Sequence, residues 1–177
     1  MDYGIGGLGL YKLIREEFPK IPLIYFSDSG EVPYGKLPAT SLRMRVKKVL
    51  EFLHGQGAET VVVACHSASS VIRQEYNNVI DIREASLKAV KGKSRRLMIL
   101  GGGRTVRDGY YRDELKKRGY NIRQKVAQEL SILVERGEMK SKKVSEAVRK
   151  LVTGIGKYDG ILLACTHYPA LTSEFKK

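Results

Sequence analysis

The sequence has no tryptophan, only four phenylalanines, five prolines and two cysteines in 177 residues. Two thiols far apart in sequence cannot build a disulfide framework, and they suit a chain kept in a reducing compartment. No apolar run approaches the roughly 18 residues that a membrane-spanning helix needs. The opening Met1-Asp2-Tyr3-Gly4 has neither the basic nor the apolar region of a secretory signal. A soluble, cytoplasmic protein without membrane contact is expected. Acidic residues are also scarce, 19 against 32 Lys plus Arg, which leaves a net charge of +13. Such an excess concentrates anions, whether carboxylate metabolites or nucleic acid. The basic runs 43–48, 91–96 and 140–143 carry no interleaved aromatics of the kind that stack single strands. Solvated helix faces and turns account for them.

What is present is a core-forming chain, 42% hydrophobic, with aliphatic runs spaced between helical patterns. Helical periodicity covers 8–18, 39–54, 67–76, 84–90, 105–118, 127–136 and 141–153. Strands are expected at 22–26, 60–64, 79–82, 97–100, 120–124 and 161–164, with a short helix or turn after Pro169. Alternating strands and helices call for parallel α/β sheets. The pattern restarts after the basic turn at 91–96, so two similar lobes, 1–90 and 91–177, are expected. The loop at 2–9 reads as the exit of a strand with almost nothing before it, so the first lobe lacks its opening strand.

Both cysteines end the same kind of phrase. Thr60-Val61-Val62-Val63-Ala64-Cys65-His66-Ser67 and Gly160-Ile161-Leu162-Leu163-Ala164-Cys165-Thr166-His167 are aliphatic runs stopped by Ala-Cys and polar residues, 100 residues apart. Ligands of open α/β sheets bind beyond the carboxyl ends of such strands, so both thiols belong at a site. Gly4-Ile5-Gly6-Gly7-Leu8-Gly9 fits a dinucleotide fingerprint, with Asp28 near the place of its ribose-binding acid. That fingerprint needs a preceding strand, for which only three residues are available. Cys65, His66, Cys165 and His167 lack the spacing of a tetrahedral zinc chelate, and no C-x-x-C redox pair exists. No metal and no cofactor is expected. Two facing thiols can instead invert a carbon next to a carboxylate, one removing a proton as thiolate and the other returning one as thiol. At an unperturbed pKa near 8.5 only about 3% of a thiol is ionised at neutral pH, so neighbouring groups must help.

Four segments in order resemble the glutamate racemases of the cofactor-independent aspartate/glutamate racemase superfamily. Asp2-Tyr3-Gly4-Ile5-Gly6-Gly7-Leu8 is similar to the family's D-S-G-x-G-G-L opening. Ile24-Tyr25-Phe26-Ser27-Asp28 with Val32-Pro33-Tyr34-Gly35 is similar to its I-Y-x-x-D and V-P-Y-G. Val62-Val63-Ala64-Cys65-His66-Ser67-Ala68-Ser69 resembles V-V-A-C-N-T-A-S, and Cys165-Thr166-His167-Tyr168-Pro169 reproduces C-T-H-Y-P. The resemblance implies two flavodoxin-like lobes with glutamate between them, and D-glutamate supplied to peptidoglycan. It implies Cys65 and Cys165 as paired acid and base, assisted by Asp2 and His167 respectively. Tyr3, Tyr34, Gly35, His66, Ser67, Thr166 and His167 would surround the substrate. Tyr3 replaces a small Ser and His66 an Asn, and a charged His66 would favour thiolate at Cys65. Near Ile82-Arg83-Glu84 the family pattern fails, which leaves open the acid supporting His167. Two alternatives stay open: a degenerate binding protein whose basic surface meets nucleic acid or a gyrase-type partner, and an isomerase for aspartate or a bulkier acid; a homodimer is compatible with each.

Overall fold

The computed structural model describes every residue except Glu31, Arg73, Gln74, Glu75, Asn77, Gly92, Lys93, Ser94, Ile155, Lys157 and Lys177. Parts of the 67–76 helix and of the basic turn at 91–96 therefore lie outside the described residues. In chain order the elements are α1 (Leu8–Glu17), α2 (Ala39–Gly55), β1 (Val61–Val63), α3 (His66–Ser69), β2 (Val79–Asp81), α4 (Ile82–Ala89) and β3 (Arg96–Gly101). They continue with α5 (Gly103–Asp108), α6 (Tyr110–Lys117), β4 (Asn121–Val126), α7 (Gln128–Glu135), α8 (Lys142–Val152), β5 (Gly160–Ala164) and α9 (Thr172–Phe175). Single 3-10 turns stand at Ile5–Gly7 and Tyr168–Leu171.

Two parallel sheets result, β1-β2 and β4-β3-β5. The first packs against α2, whose Leu42, Val46, Val49, Leu50 and Leu53 form one buried stripe at helical spacing. Burying each such side chain stabilises the fold by about 1.5–3 kcal/mol. The second is covered on both faces, as the unbroken aliphatic run of β3 requires. Met98 and Leu100 pack with Leu130, Val134, Val144 and Val148 from α7 and α8. Leu97 and Ile99 pack on the opposite face with Tyr111, Leu115 and Leu87, the last from α4.

Several expectations shift. The 105–118 helix is two helices, because Gly109 at φ +77° breaks the turn. Residues 22–26 run extended but outside any ladder, with one isolated bridge between Asp2 and Ser27. Met1 and Asp2 are wedged between that segment and β1. Met1 N donates to Val62 O at 2.6 Å and Ala64 N to Met1 O at 3.0 Å, while Asp2 N donates to Phe26 O at 3.0 Å. Beside Met1 a largely apolar cleft of about 620 Å³ continues between Pro22–Tyr25 and β1, bordered by Leu10, Ile14 and Leu53. Among the described residues no helix is long and apolar enough to cross a membrane.

Candidate active site

Each cysteine leaves the carboxyl end of a strand. Cys65 follows β1 and caps α3, and Cys165 follows β5. Both open onto one cavity of about 30 Å³ between the two sheets. Tyr3, Tyr34, Gly35, His66, Ser67, Thr166 and His167 line the same cavity, so nine of the ten residues singled out by sequence meet there. Asp2 is the tenth. It is fully buried and lies behind the lining rather than on it, close enough that its charge acts on both thiols.

The glycine-rich opening has a packing role. A Cβ on Gly6 would stand 2.5 Å from Thr166 Oγ1 and 2.6 Å from His167 Nδ1, and one on Gly7 2.9 Å from Asp2 Cβ. One on Gly4 would collide with the Glu135 carboxylate. These glycines let the first lobe's leading turn close on the second lobe, which explains a G-x-G pattern with no dinucleotide strand before it.

The two thiols keep different company. Cys165 Sγ is 3.5 Å from His167 Nδ1, and His167 Nε2 bonds the Glu135 carboxylate. A carboxylate only accepts, so Nε2 carries the imidazole proton and Nδ1 offers its lone pair to the thiol. Glu135 also accepts from Ile5 N at 2.8 Å, tying the two lobes together. Burial pushes the Cys165 thiol up to about 12, opposed by hydrogen bonds from the His167 backbone. Cys65 is raised further, by burial first, then by the charges of Asp2 and Cys165, against backbone bonds from Ala68 and Ser67. Burial likewise raises the Asp2 carboxyl, while His167 and Thr166 pull it down. Asp2 Oδ1 accepts from Gly4 N at 3.3 Å, and Oδ2 has no hydrogen-bond partner among the described residues. Burial thus keeps both thiols protonated, Cys165 in contact with His167 Nδ1 and Cys65 within reach of the Asp2 charge.

Some expected contacts change character. The Tyr34 hydroxyl donates to Asp28 Oδ2 at 2.5 Å, so only its ring is left for the cavity. Burial raises the Asp28 carboxyl, but hydrogen bonds from Arg45 and Tyr34 outweigh it and hold the group below the usual range. Tyr3 leans its ring on Tyr34, with centroids 5.4 Å apart, which makes room for bulk where the family has Ser. Burial lowers the His66 imidazole to about 4, which disfavours at neutral pH the charged form that would promote thiolate at Cys65. Among the described residues no group of three or more His, Cys, Asp or Glu is placed to hold a metal ion.

Sequence reasoning missed Glu135, Gln128 and Ser131. All three stand on α7 at i, i+3 and i+7, a polar stripe beside the buried Leu130, Leu133 and Val134. Gln128 and Ser131 line the cavity, and Gln128 Oε1 accepts from Gly103 N at 3.2 Å. That stripe was the available signal.

Comparison with known proteins places this arrangement. The profile of the Asp/Glu/Hydantoin racemase family matches residues 9–177. The glutamate racemase of Aquifex aeolicus is 31% identical over 183 residues, which span 99% of this chain and 72% of that protein. A glutamate racemase isoform from Bacillus anthracis superposes with a TM-score of 0.89 at 25% identity, over 99% of this chain and 70% of that one. The Francisella tularensis glutamate racemase, solved in complex with D-glutamate, has the same TM-score at 20% identity over 99% and 70%, a likeness of fold. With two parallel sheets closing on a pocket that holds both cysteines, and a family match over nearly its whole length, this chain belongs to the Asp/Glu/Hydantoin racemase family and so to the amino-acid racemases.

Proposed function

We propose that the chain interconverts L- and D-glutamate by moving the α-proton between two cysteines, in the cytoplasm, supplying D-glutamate for peptidoglycan. The observation that carries the reading is that Cys65 and Cys165, 100 residues apart, open onto the same interlobe cavity. The substrate is inferred from the glutamate racemases this chain resembles.

One thiol must be ionised before it can act as base. Asp2 takes the proton of Cys65, and burial makes it a stronger base than an exposed aspartate. His167 Nδ1 takes the proton of Cys165, and Glu135 steadies the imidazolium that results. The substrate's α-ammonium brings a positive charge beside the two thiols, which lowers the cost of thiolate there. Cys165 then removes the α-proton of L-glutamate while the Cys65 thiol delivers its own proton to the opposite face. In the reverse direction Cys65 is base toward D-glutamate. Negative charge that builds on the substrate carboxylate is met by donors already in place, among them the Ser67 and Thr166 hydroxyls.

A cavity of about 30 Å³ holds a water molecule or two, far less than an amino acid. The test is direct. Cys65→Ser and Cys165→Ser should each lower racemisation by at least about a thousandfold with unchanged unfolding midpoints, since a serine hydroxyl is a far weaker acid. Full activity in either variant would remove the two-thiol assignment. Solvent deuterium at the α-carbon of glutamate, against aspartate as control, identifies the substrate.

A further inference from the structure

We propose that Tyr111 is a positioning residue that holds His66 as its Nε2–H tautomer, giving the pocket beside Cys65 a fixed, uncharged N–H donor for a substrate carboxylate oxygen. The identity of that carboxylate rests on the glutamate reading above; the tautomer does not.

His66 follows Cys65 directly and lines the cavity, while Tyr111, on α6, does not. The two rings lean together with centroids 5.6 Å apart at 49°, and His66 Nδ1 lies 2.6 Å from the Tyr111 hydroxyl. Tyr111 is 1% exposed and His66 6%, so the bond is screened from water and anchors the imidazole from behind. The chemistry of the two groups assigns the donor. A buried phenol must spend its proton on an acceptor, Nδ1 at 2.6 Å is the acceptor in contact with it, and a phenol is a stronger acid and so a better donor than a neutral imidazole N–H. A neutral imidazole has one proton, and with Nδ1 accepting, that proton is on Nε2. Burial keeps the ring neutral, with Arg83 adding to that effect and Asp81 opposing it. Nε2 has no hydrogen-bond partner among the described residues, so a ligand can be its acceptor.

The competing arrangement is specific. Ser86 lies near Tyr111, and its own proton is spent on Ile82 O at 2.9 Å. If Ser86 took the phenol proton, His66 would become the Nδ1–H tautomer and present a lone pair, suited to an ammonium instead. A neutral donor beside Cys65 has a clear use. It grips the substrate without holding Cys65 permanently as thiolate, so that cysteine remains able to act as acid and as base.

Nitrogen-15-labelled histidine decides the matter, because the chain has three histidines and His66 is identified by its loss in His66→Asn. Long-range proton–nitrogen spectra at about pH 6 to 8 should show His66 neutral and protonated on Nε2. A Nδ1–H or charged ring overturns the proposal. In Tyr111→Phe the tautomers should mix, with KM for glutamate raised about tenfold and kcat held within about threefold. A pure Nε2–H tautomer and unchanged KM in Tyr111→Phe would also overturn it. If that variant does not fold, the wild-type spectrum alone decides. If the wild type fails to racemise glutamate, the functional reading falls while the spectrum still tests the tautomer.

Discussion

At Cys165 a raised thiol and a waiting imidazole coexist. With the thiol held at about 12 in the empty pocket, its thiolate fraction at neutral pH is on the order of one in 10⁵. Raising the pH toward 12 adds thiolate, so alkylation of Cys165 by iodoacetamide should accelerate about tenfold per pH unit between roughly 7 and 10. Mass-spectrometric counting of the modified peptide measures this, and a plateau below about pH 8 would contradict the buried, protonated state. Glu135→Gln keeps the size of the side chain but loses the charge that steadies His167. It should lower kcat/KM about 10- to 100-fold, on the scale of a general-base contribution, with a smaller effect on stability. The thiols, Asp2, His66 and His167 were legible in sequence because they stand in short contiguous phrases. Glu135 was not, since it meets His167 only through tertiary packing across 32 residues.

Between elements, the closest approach joins the 3-10 turn Ile5–Gly7 to the loop after β5. Gly6→Ala would place a methyl group against both Thr166 and His167, and the ring would have to shift. Displacing a reacting group by even an ångström can cost about a hundredfold, so kcat should fall 10- to 100-fold. Urea unfolding should show a loss of about 1–3 kcal/mol from the overpacking. Unchanged kcat would mean His167 has slack that the packing does not suggest. Element types were readable where the periodicity was strong, as in α2 and β3. Boundaries were less so: Gly109 split one expected helix, and 22–26 forms no strand, the one bridge nearby joining Ser27 to Asp2. Strand character at 22–26 depends on a neighbouring edge, which local sequence does not encode.

Over the whole molecule, a charge of +13 surrounds a small pocket lined by uncharged polar groups, the two thiols and His167, with the carboxyls of Asp2 and Glu135 behind that lining. The distant field favours the approach of an anionic substrate. Raising salt from about 20 mM to about 0.5 M shortens the screening length to a few ångströms, so kcat/KM for glutamate should fall several-fold. Chemistry inside the closed site should be spared and kcat should hold. A salt-independent kcat/KM would show that the basic surface has no part in capture. The meeting of both cysteines was visible in the repeated Ala-Cys phrases, but the tight packing around the cavity was not, because it depends on the glycines of 4–7 meeting Glu135, Thr166 and His167.

The unequal settings of the sulfurs, one backed by an imidazole and a glutamate and the other by an aspartate alone, carry a thermodynamic restriction. Mirror-image amino acids have identical free energies in water, so the overall equilibrium cannot lean toward either hand. A Haldane balance then forces second-order rate constants from both directions to coincide, however lopsided the machinery. Asymmetry can surface only as matched differences in turnover and saturation, and as unequal deuterium isotope effects for the two handednesses.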